Sequence, residues 1–202
     1  MKRTTILSLL VALVVVACDG SSVSLQGDGE RVIETRKVEG FAAVRANNGV
    51  HVVLATDANA GGDVQLEVTT DSNLQEFLTT KVSGDRLTVT SERAGGVTPT
   101  QGFDVSGTVA AIESVSTDNG ARVEITGSAD EVMLSANNGA HLVAESFEAG
   151  TVEVDADNGA QVTVCATGEV TGDVKNGAQL TVFCGGSVRV ETSDGGRVSS
   201  AP

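Results

Sequence analysis

The feature that most constrains this chain is a recurring Asn-Gly pair. It falls at Asn48, Asn119, Asn138, Asn158 and Asn176, with Asp194-Gly195 as a last variant, and from Asn119 onward the spacing is 18 to 20 residues. A fixed period of this size marks a solenoid, in which one unit cannot bury its apolar face alone and must stack on the next. Between corners lie runs of period-two alternation, such as RVEIT (122–126) with EVMLS (131–135), and HLVAE (141–145) with TVEVD (151–155). Such runs read as half-buried strands. Equivalent strands of a direct repeat all run the same way, so the pattern predicts an all-β, single-chain parallel β-helix of 18–20 residues per repeat. An antiparallel sandwich with Asn-Gly hairpins is the alternative, but it does not demand the same period at successive turns. At each corner a left-handed backbone costs Gly nothing and Asn little, and stacked Asn side chains can hydrogen-bond along the axis.

The half before Asn119 is less regular. VRANNGVHVVL (44–54) has the form of one more repeat, whereas 64–90 breaks the pattern. There Leu74, Phe77 and Leu78 predict a short helix near 72–80, with Ser72 as its cap and Gln75 as the capping-box partner. It would close one side or end of the solenoid.

Lys2 and Arg3 precede an apolar run of 12 residues, Ile6 to Ala17, too short to cross a bilayer as a helix and typical of a signal peptide over 1–17. The run ends in Val15-Val16-Ala17-Cys18, which resembles the bacterial lipobox. The resemblance implies that Cys18 is lipidated and becomes the N-terminus, with enough acyl chains for a lasting membrane anchor. Asp19 resembles the inner-membrane retention signal of enteric bacteria, but other lineages sort by other rules. Inner or outer membrane, periplasmic face or cell surface, therefore stay open. Residues 19–31 (DGSSVSLQGDGER) are rich in Gly, Ser and charge, so 18–31 reads as a flexible tether and 32–202 as the domain.

The formal net charge is −14, and loss of Lys2 and Arg3 makes it two units more negative. That excludes nucleic acid as a natural partner and disfavours docking on an anionic lipid surface through the domain itself. With no Trp, no Tyr and five Phe, the chain also lacks the aromatic platforms on which sugars or bases are usually stacked.

Taken together, FAAVRANNGVHVVL, LEVTTDSNLQEFLTTKVSGDRLTVT, the repeats TDNGARVEI, ANNGAHLVA, ADNGAQVTV and KNGAQLTVF, and the Gly-rich terminal strand resemble the putative auto-transporter adhesin head GIN domain family. The resemblance covers roughly residues 32–202. It implies a right-handed β-helix in an exported bacterial protein and, by its name alone, adhesion. It brings no catalytic residues.

Three residues after each corner stand His51, Arg122, His141, Gln161, Gln179 and Arg197. Stacked at the sheet spacing of about 4.8 Å, they would form a polar stripe, the candidate binding face. Outward strand positions of any soluble solenoid are polar too, so a stripe alone proves no ligand. His51 and His141 lie in repeats separated by the irregular segment and have no third ligand to complete a transition-metal set. Asp118, Asp130, Asp155 and Asp157 near corners suit calcium, yet the calcium-binding nonapeptide is absent and turn chemistry explains corner acids. No metal or cofactor is expected, and no catalytic motif is present.

Cys165 and Cys184 sit in neighbouring repeats but one place out of register. A disulfide requires a bulge at Gly185-Gly186 to absorb the slip; otherwise both stay buried free thiols.

The sequence thus points to a non-enzymatic bacterial envelope lipoprotein, with an adhesin-like or scaffolding domain and a membrane contact through Cys18. Its partner would be an envelope protein or glycan. A polysaccharide-processing β-helix enzyme and a self-associating solenoid are the alternatives, and the oligomeric state is not legible.

Overall fold

The computed structural model describes residues 24–92 and 96–201. The expected signal peptide (1–17) and Cys18 lie outside the described residues. Among those described, the chain is all-β, with 17 strands and one short 3-10 helix.

The N-terminal part carries β1 (Leu25–Gln26), β2 (Arg31–Val38), β3 (Ala43–Asn47), β4 (His51–Thr56), β5 (Val64–Asp71), β6 (Leu78–Ser83), β7 (Arg86–Ser91), β8 (Val97–Thr98) and β9 (Asp104–Val109). The C-terminal part carries β10 (Ser114–Thr117), β11 (Arg122–Ala136), β12 (His141–Ala156), β13 (Gln161–Ala166), β14 (Glu169–Val174), β15 (Gln179–Phe183), β16 (Ser187–Thr192) and β17 (Arg197–Ser200). Fifteen strands form one nearly closed, barrel-like sheet, and β1 and β8 pair separately.

Pairing follows two ladders. One holds β9 together with the strands after the Asn-Gly and Asp-Gly corners: β4, the first half of β11, the first half of β12, β13, β15 and β17, all parallel. The other holds β7 together with the strands before the corners: β3, β10, the second halves of β11 and β12, β14 and β16, also parallel. Partners in the C-terminal part are one sequence period apart, as in Ser114 with Met133, Glu131 with Thr151 and Val170 with Val188.

The corners explain why the period is kept. Asn119, Asn138, Asn158 and Asn176 have φ of 52°, 51°, 48° and 46°, and each is followed by a Gly with φ between 68° and 75°. Two successive left-handed residues make the tight turn that most side chains resist. Each Gly N–H then donates to the next corner, as Gly120 to Asn138 O and Gly139 to Asn158 O. The Asn amides add a second ladder: Asn138 Nδ2 donates to Asp118 Oδ1 at 2.8 Å, Asn158 Nδ2 to Asn137 Oδ1 at 2.9 Å and Asn176 Nδ2 to Asp157 Oδ1 at 2.6 Å. Ala121, Ala140, Ala160 and Ala178 follow the Gly and are fully buried, since a small side chain fits where the two ladders meet. Beyond the corner the alternation places Val123, Leu142, Val162 and Leu180 in the core, against Leu134, Val154 and Val170 of the other ladder.

The N-terminal part is built differently. The repeat β3–β4 lies between β7 and β9 on one side and β10 and β11 on the other, so spatial order departs from chain order. Beyond it the ladders end in antiparallel strands: β5 on β9, β2 on β5 and β6 on β7.

Two expectations need correcting here. The helix is a single 3-10 segment, Ser72–Phe77, with Asp71 in the cap position and no side-chain cap bond. Ser72 Oγ instead donates to Asp28 Oδ2, and Gln75 Nε2 donates to Val32 O and Val68 O; the neighbouring strands offer these groups better partners than one turn of helix does. Residues 24–31, expected to be flexible, are also ordered. Leu25–Gln26 pairs with Val97–Thr98, while Asp28 N donates to Asn73 Oδ1 and Gly29 N to Asp71 Oδ1. Polar contacts hold this stretch where apolar ones are few.

Candidate functional site

The first ladder brings the polar stripe into one register. His51 stands beside Arg122, Arg122 beside His141, His141 beside Gln161, Gln161 beside Gln179, and Gln179 beside Arg197. His51 is therefore next in line to the C-terminal repeats and not separated from them, because β4 packs directly on β11. His51 and His141 still flank Arg122 without touching a common partner. Arg122, Gln161, Gln179 and Arg197 are exposed, and the two histidines are half-buried.

The column continues past His51 to Asp104, and here a charged network closes it. Asp104 takes a hydrogen bond from Arg31 and lies 3.0 Å from His51 Nδ1, whose Nε2 lies 3.2 Å from Glu124 Oε1. Arg122 Nε donates to the same oxygen at 2.7 Å. Carboxylates only accept, so the His51 ring is held between two acceptors. The Arg122 hydrogen bond, with help from His51, holds the Glu124 carboxyl below its ordinary range although burial pushes the other way. At this end of the column the charged side chains bond one another. From His141 to Arg197 the side chains carry donors and acceptors toward solvent.

Sequence reading missed Asp104, Arg31 and Glu124. Glu124 was within reach, since it follows Arg122 by two residues and so shares its face. Asp104 and Arg31 come from strands whose place in the stack follows no period.

Two of the four corner acids, Asp118 and Asp157, are occupied. Asp118 Oδ1 accepts from Asn119 N and Asn138 Nδ2, and Asp157 Oδ1 from Asn158 N and Asn176 Nδ2. Their role in turns and between repeats accounts for them. Among the described residues no group of three His, Cys, Asp or Glu side chains is arranged to hold a metal ion.

Cys165 and Cys184 are joined as a disulfide with Cα atoms 5.1 Å apart. The one-place offset is taken up at Cys184 itself: Phe183 is the partner of Cys165, and the chain then turns left-handed at Cys184 and Gly185, with φ of 67° and 77°.

A groove of about 860 Å³ crosses the second ladder, lined by Ile112, Glu113, Asp130, Glu131, Met133 and Glu153 among others. Met133 is 53% exposed within it.

The family model described as putative auto-transporter adhesin, head GIN domain, matches residues 40–164 and again 104–186. The overlap is what a direct repeat allows. Among solved structures, a putative adhesin from Bacteroides fragilis NCTC 9343 aligns with a TM-score of 0.53 at 14% identity, over 88% of this chain and 99% of that one. A putative adhesin from Parabacteroides merdae ATCC 43184 aligns at 0.42 and 12% identity, over 89% of this chain and 100% of that one. A putative lipid binding protein from Parabacteroides distasonis ATCC 8503 aligns at 0.43 and 12%, with the same coverage. No curated protein matches the chain.

Proposed function

The chain belongs to the putative auto-transporter adhesin, head GIN domain family, and from that premise we propose a lipid-anchored, non-enzymatic adhesin of a bacterial envelope. Residues 1–17 act as the signal peptide, Cys18 carries the lipid, and a short tether leads to a fold that starts near residue 24. The two ladders form a right-handed parallel β-helix, the hand following from the family resemblance. The rod offers the column from Arg122 to Arg197 to an envelope protein or a glycan.

The observation that carries this reading is the unbroken register of Arg122, His141, Gln161, Gln179 and Arg197 on one face. Side chains spaced at about 4.8 Å suit an extended polymer or a strand edge with repeating polar groups. The acidic groove favours a second reading, a glycan-processing site, because a carboxylate pair in a cleft is what glycoside hydrolysis needs.

Adhesion of cells displaying the full chain, on surfaces coated with envelope glycans or envelope protein extracts, tests the proposal. Changing His141, Gln161 and Gln179 together to Ala should lower saturable adhesion at least about tenfold, the size expected from losing several side-chain hydrogen bonds. Cys18→Ser should abolish it by releasing the chain from the membrane. Adhesion indifferent to the triple change sinks the column as a binding face, adhesion surviving Cys18→Ser sinks the anchor, and shortened glycans recovered from the surface favour the second reading.

A further inference from the structure

The two strands of the last repeat are open edges: among the described residues β16 pairs only with β14, and β17 only with β15. The inward side chains of this repeat, Val188, Val190 and Val198, pack on the core yet remain only partly buried. Edges of this kind are blunted by Pro, a bulge, an inward charge or outward charges of one sign; SVRVET (187–192) has none of the first three, and its outward charges, Arg189 and Glu191, are opposite in sign. The far end of the molecule differs, since antiparallel strands extend it beyond the repeats.

We infer that this C-terminal edge docks a second copy of the same chain, β16 pairing antiparallel with β16 of the partner copy about a two-fold axis at Val190. A two-fold axis perpendicular to an edge strand sets it antiparallel to its own copy, and the sequence of β16 is complementary to its own reverse. With Val190 opposite its own copy, Arg189 lies opposite Glu191 on one side of the axis and Glu191 opposite Arg189 on the other. Val188 then faces Thr192. The apolar positions meet on the core side and the charges on the solvent side, which is how cross-strand pairs stabilise a sheet. The charges are accessible: the Arg189 side chain is 76% exposed and commits only Nη1 to Glu169, at 2.9 Å. The guanidinium keeps further donors for a carboxylate across the axis. Like-charged chains at a net charge of −14 repel at a distance, so an edge whose local charges cancel is the natural place for contact. A two-fold contact closes on itself and makes a dimer, not a fibre. This inference does not rest on the polar column and survives its failure.

The test is sedimentation velocity of the full chain in detergent over a range of concentrations, with Arg189→Glu, Glu191→Arg and the double exchange. The wild type should form a dimer that grows no further. Each single reversal places like charges opposite one another twice, by symmetry, and should weaken the dimer about tenfold or more. The double exchange restores opposite pairs and should restore the dimer, an outcome that damage to the fold cannot mimic. A chain monomeric at every concentration overturns the inference. So does open-ended growth, which signals head-to-tail stacking, or a double exchange no better than the single reversals.

Discussion

From Ser114 to Ser200 each repeat lies on the one before it in sequence, whereas from Leu25 to Val109 the chain doubles back, inserts β3–β4 between later strands and ends in antiparallel pairs. Both regions use the same two ladders and the same kind of apolar core. What differs is how position is specified. In the C-terminal region it is specified locally, by a left-handed Asn-Gly corner that recurs and bonds to its neighbour. In the N-terminal region it is specified by single polar hubs. Asp71 is the clearest: it accepts from Gly29 N, Thr100 N and Thr100 Oγ1, drawing together three distant segments. Gly27 leaves room for that carboxylate, since a Cβ there would lie 2.3 Å from Asp71 Oδ2. A repeated device tolerates the loss of one copy, while a hub does not.

The largest effect that would sharpen this contrast comes from the disulfide. Cys165 and Cys184 are 19 residues apart, and closing a loop of that size stabilises a chain by about 3 kcal/mol through the unfolded state. Changing both to Ser should lower the melting temperature by several degrees and loosen the last repeats, where among the described residues β16 and β17 have paired neighbours on one side only. Amide exchange then locates the loss. Equal loosening at Gly29 and at Ser187 would mean that the two regions unfold as one and that the contrast has no energetic content.

Next in size is the corner itself. Asn138→Ala puts a residue with no tolerance for φ of 51° at the turn and deletes the amide that donates to Asp118 and Asn119. The expected cost is about 1–2 kcal/mol in denaturant unfolding. Asn138→Gly keeps the backbone freedom and deletes only the amide, so it should cost about half as much. If the two substitutions cost the same, the side-chain ladder alone matters and the left-handed backbone is incidental.

These devices also explain what could be read from the sequence. The Asn-Gly period made the corners, the strand type, the parallel direction and the column from Arg122 to Arg197 legible, because each depends on residues within one repeat of one another. The ordered stretch around Asp28 was not legible: low apolar content suggests disorder, but two segments remote in sequence, 71–73 and 96–98, supply its hydrogen bonds. Nor was the network of Arg31, Asp104, His51 and Glu124, which exists only because β9 and β4 are neighbours in space. The pairing of Ser72 with Gln75 fitted a capping box and failed for the same reason, as partners outside the segment claimed both side chains. The missing information is the order of stacking, and no local pattern encodes it.

The smallest effect is a local one, and it follows from acid. The hydrogen bonds from Thr100 hold the Asp71 carboxyl below the ordinary aspartate value, and Gly29 adds to them; a Ser72 hydrogen bond does the same for Asp28 beside it. A carboxyl whose folded value is depressed contributes stability that is fully present above its unfolded value and is lost as pH falls through the folded one. With an ordinary aspartate near 3.9, the loss should begin below about pH 4 and deepen downward. The corner contacts between Gly139 N and Asn158 O, and between Gly159 N and Asn176 O, join backbone groups that do not titrate, and the Asp118 and Asp157 carboxylates accept from other donors beside them. Amide protection, corrected for intrinsic exchange at each pH, should therefore fall at Gly29 and Thr100 while Gly139 and Gly159 keep theirs. Protection falling together at all four sites would break the comparison, since the hub would then be no more acid-sensitive than the ladder. Asp71→Asn offers the matching control: an amide has a single acceptor oxygen and cannot serve Gly29 N and Thr100 N at their two separate positions, so at least one of the two should lose protection already at neutral pH and show little further change in acid.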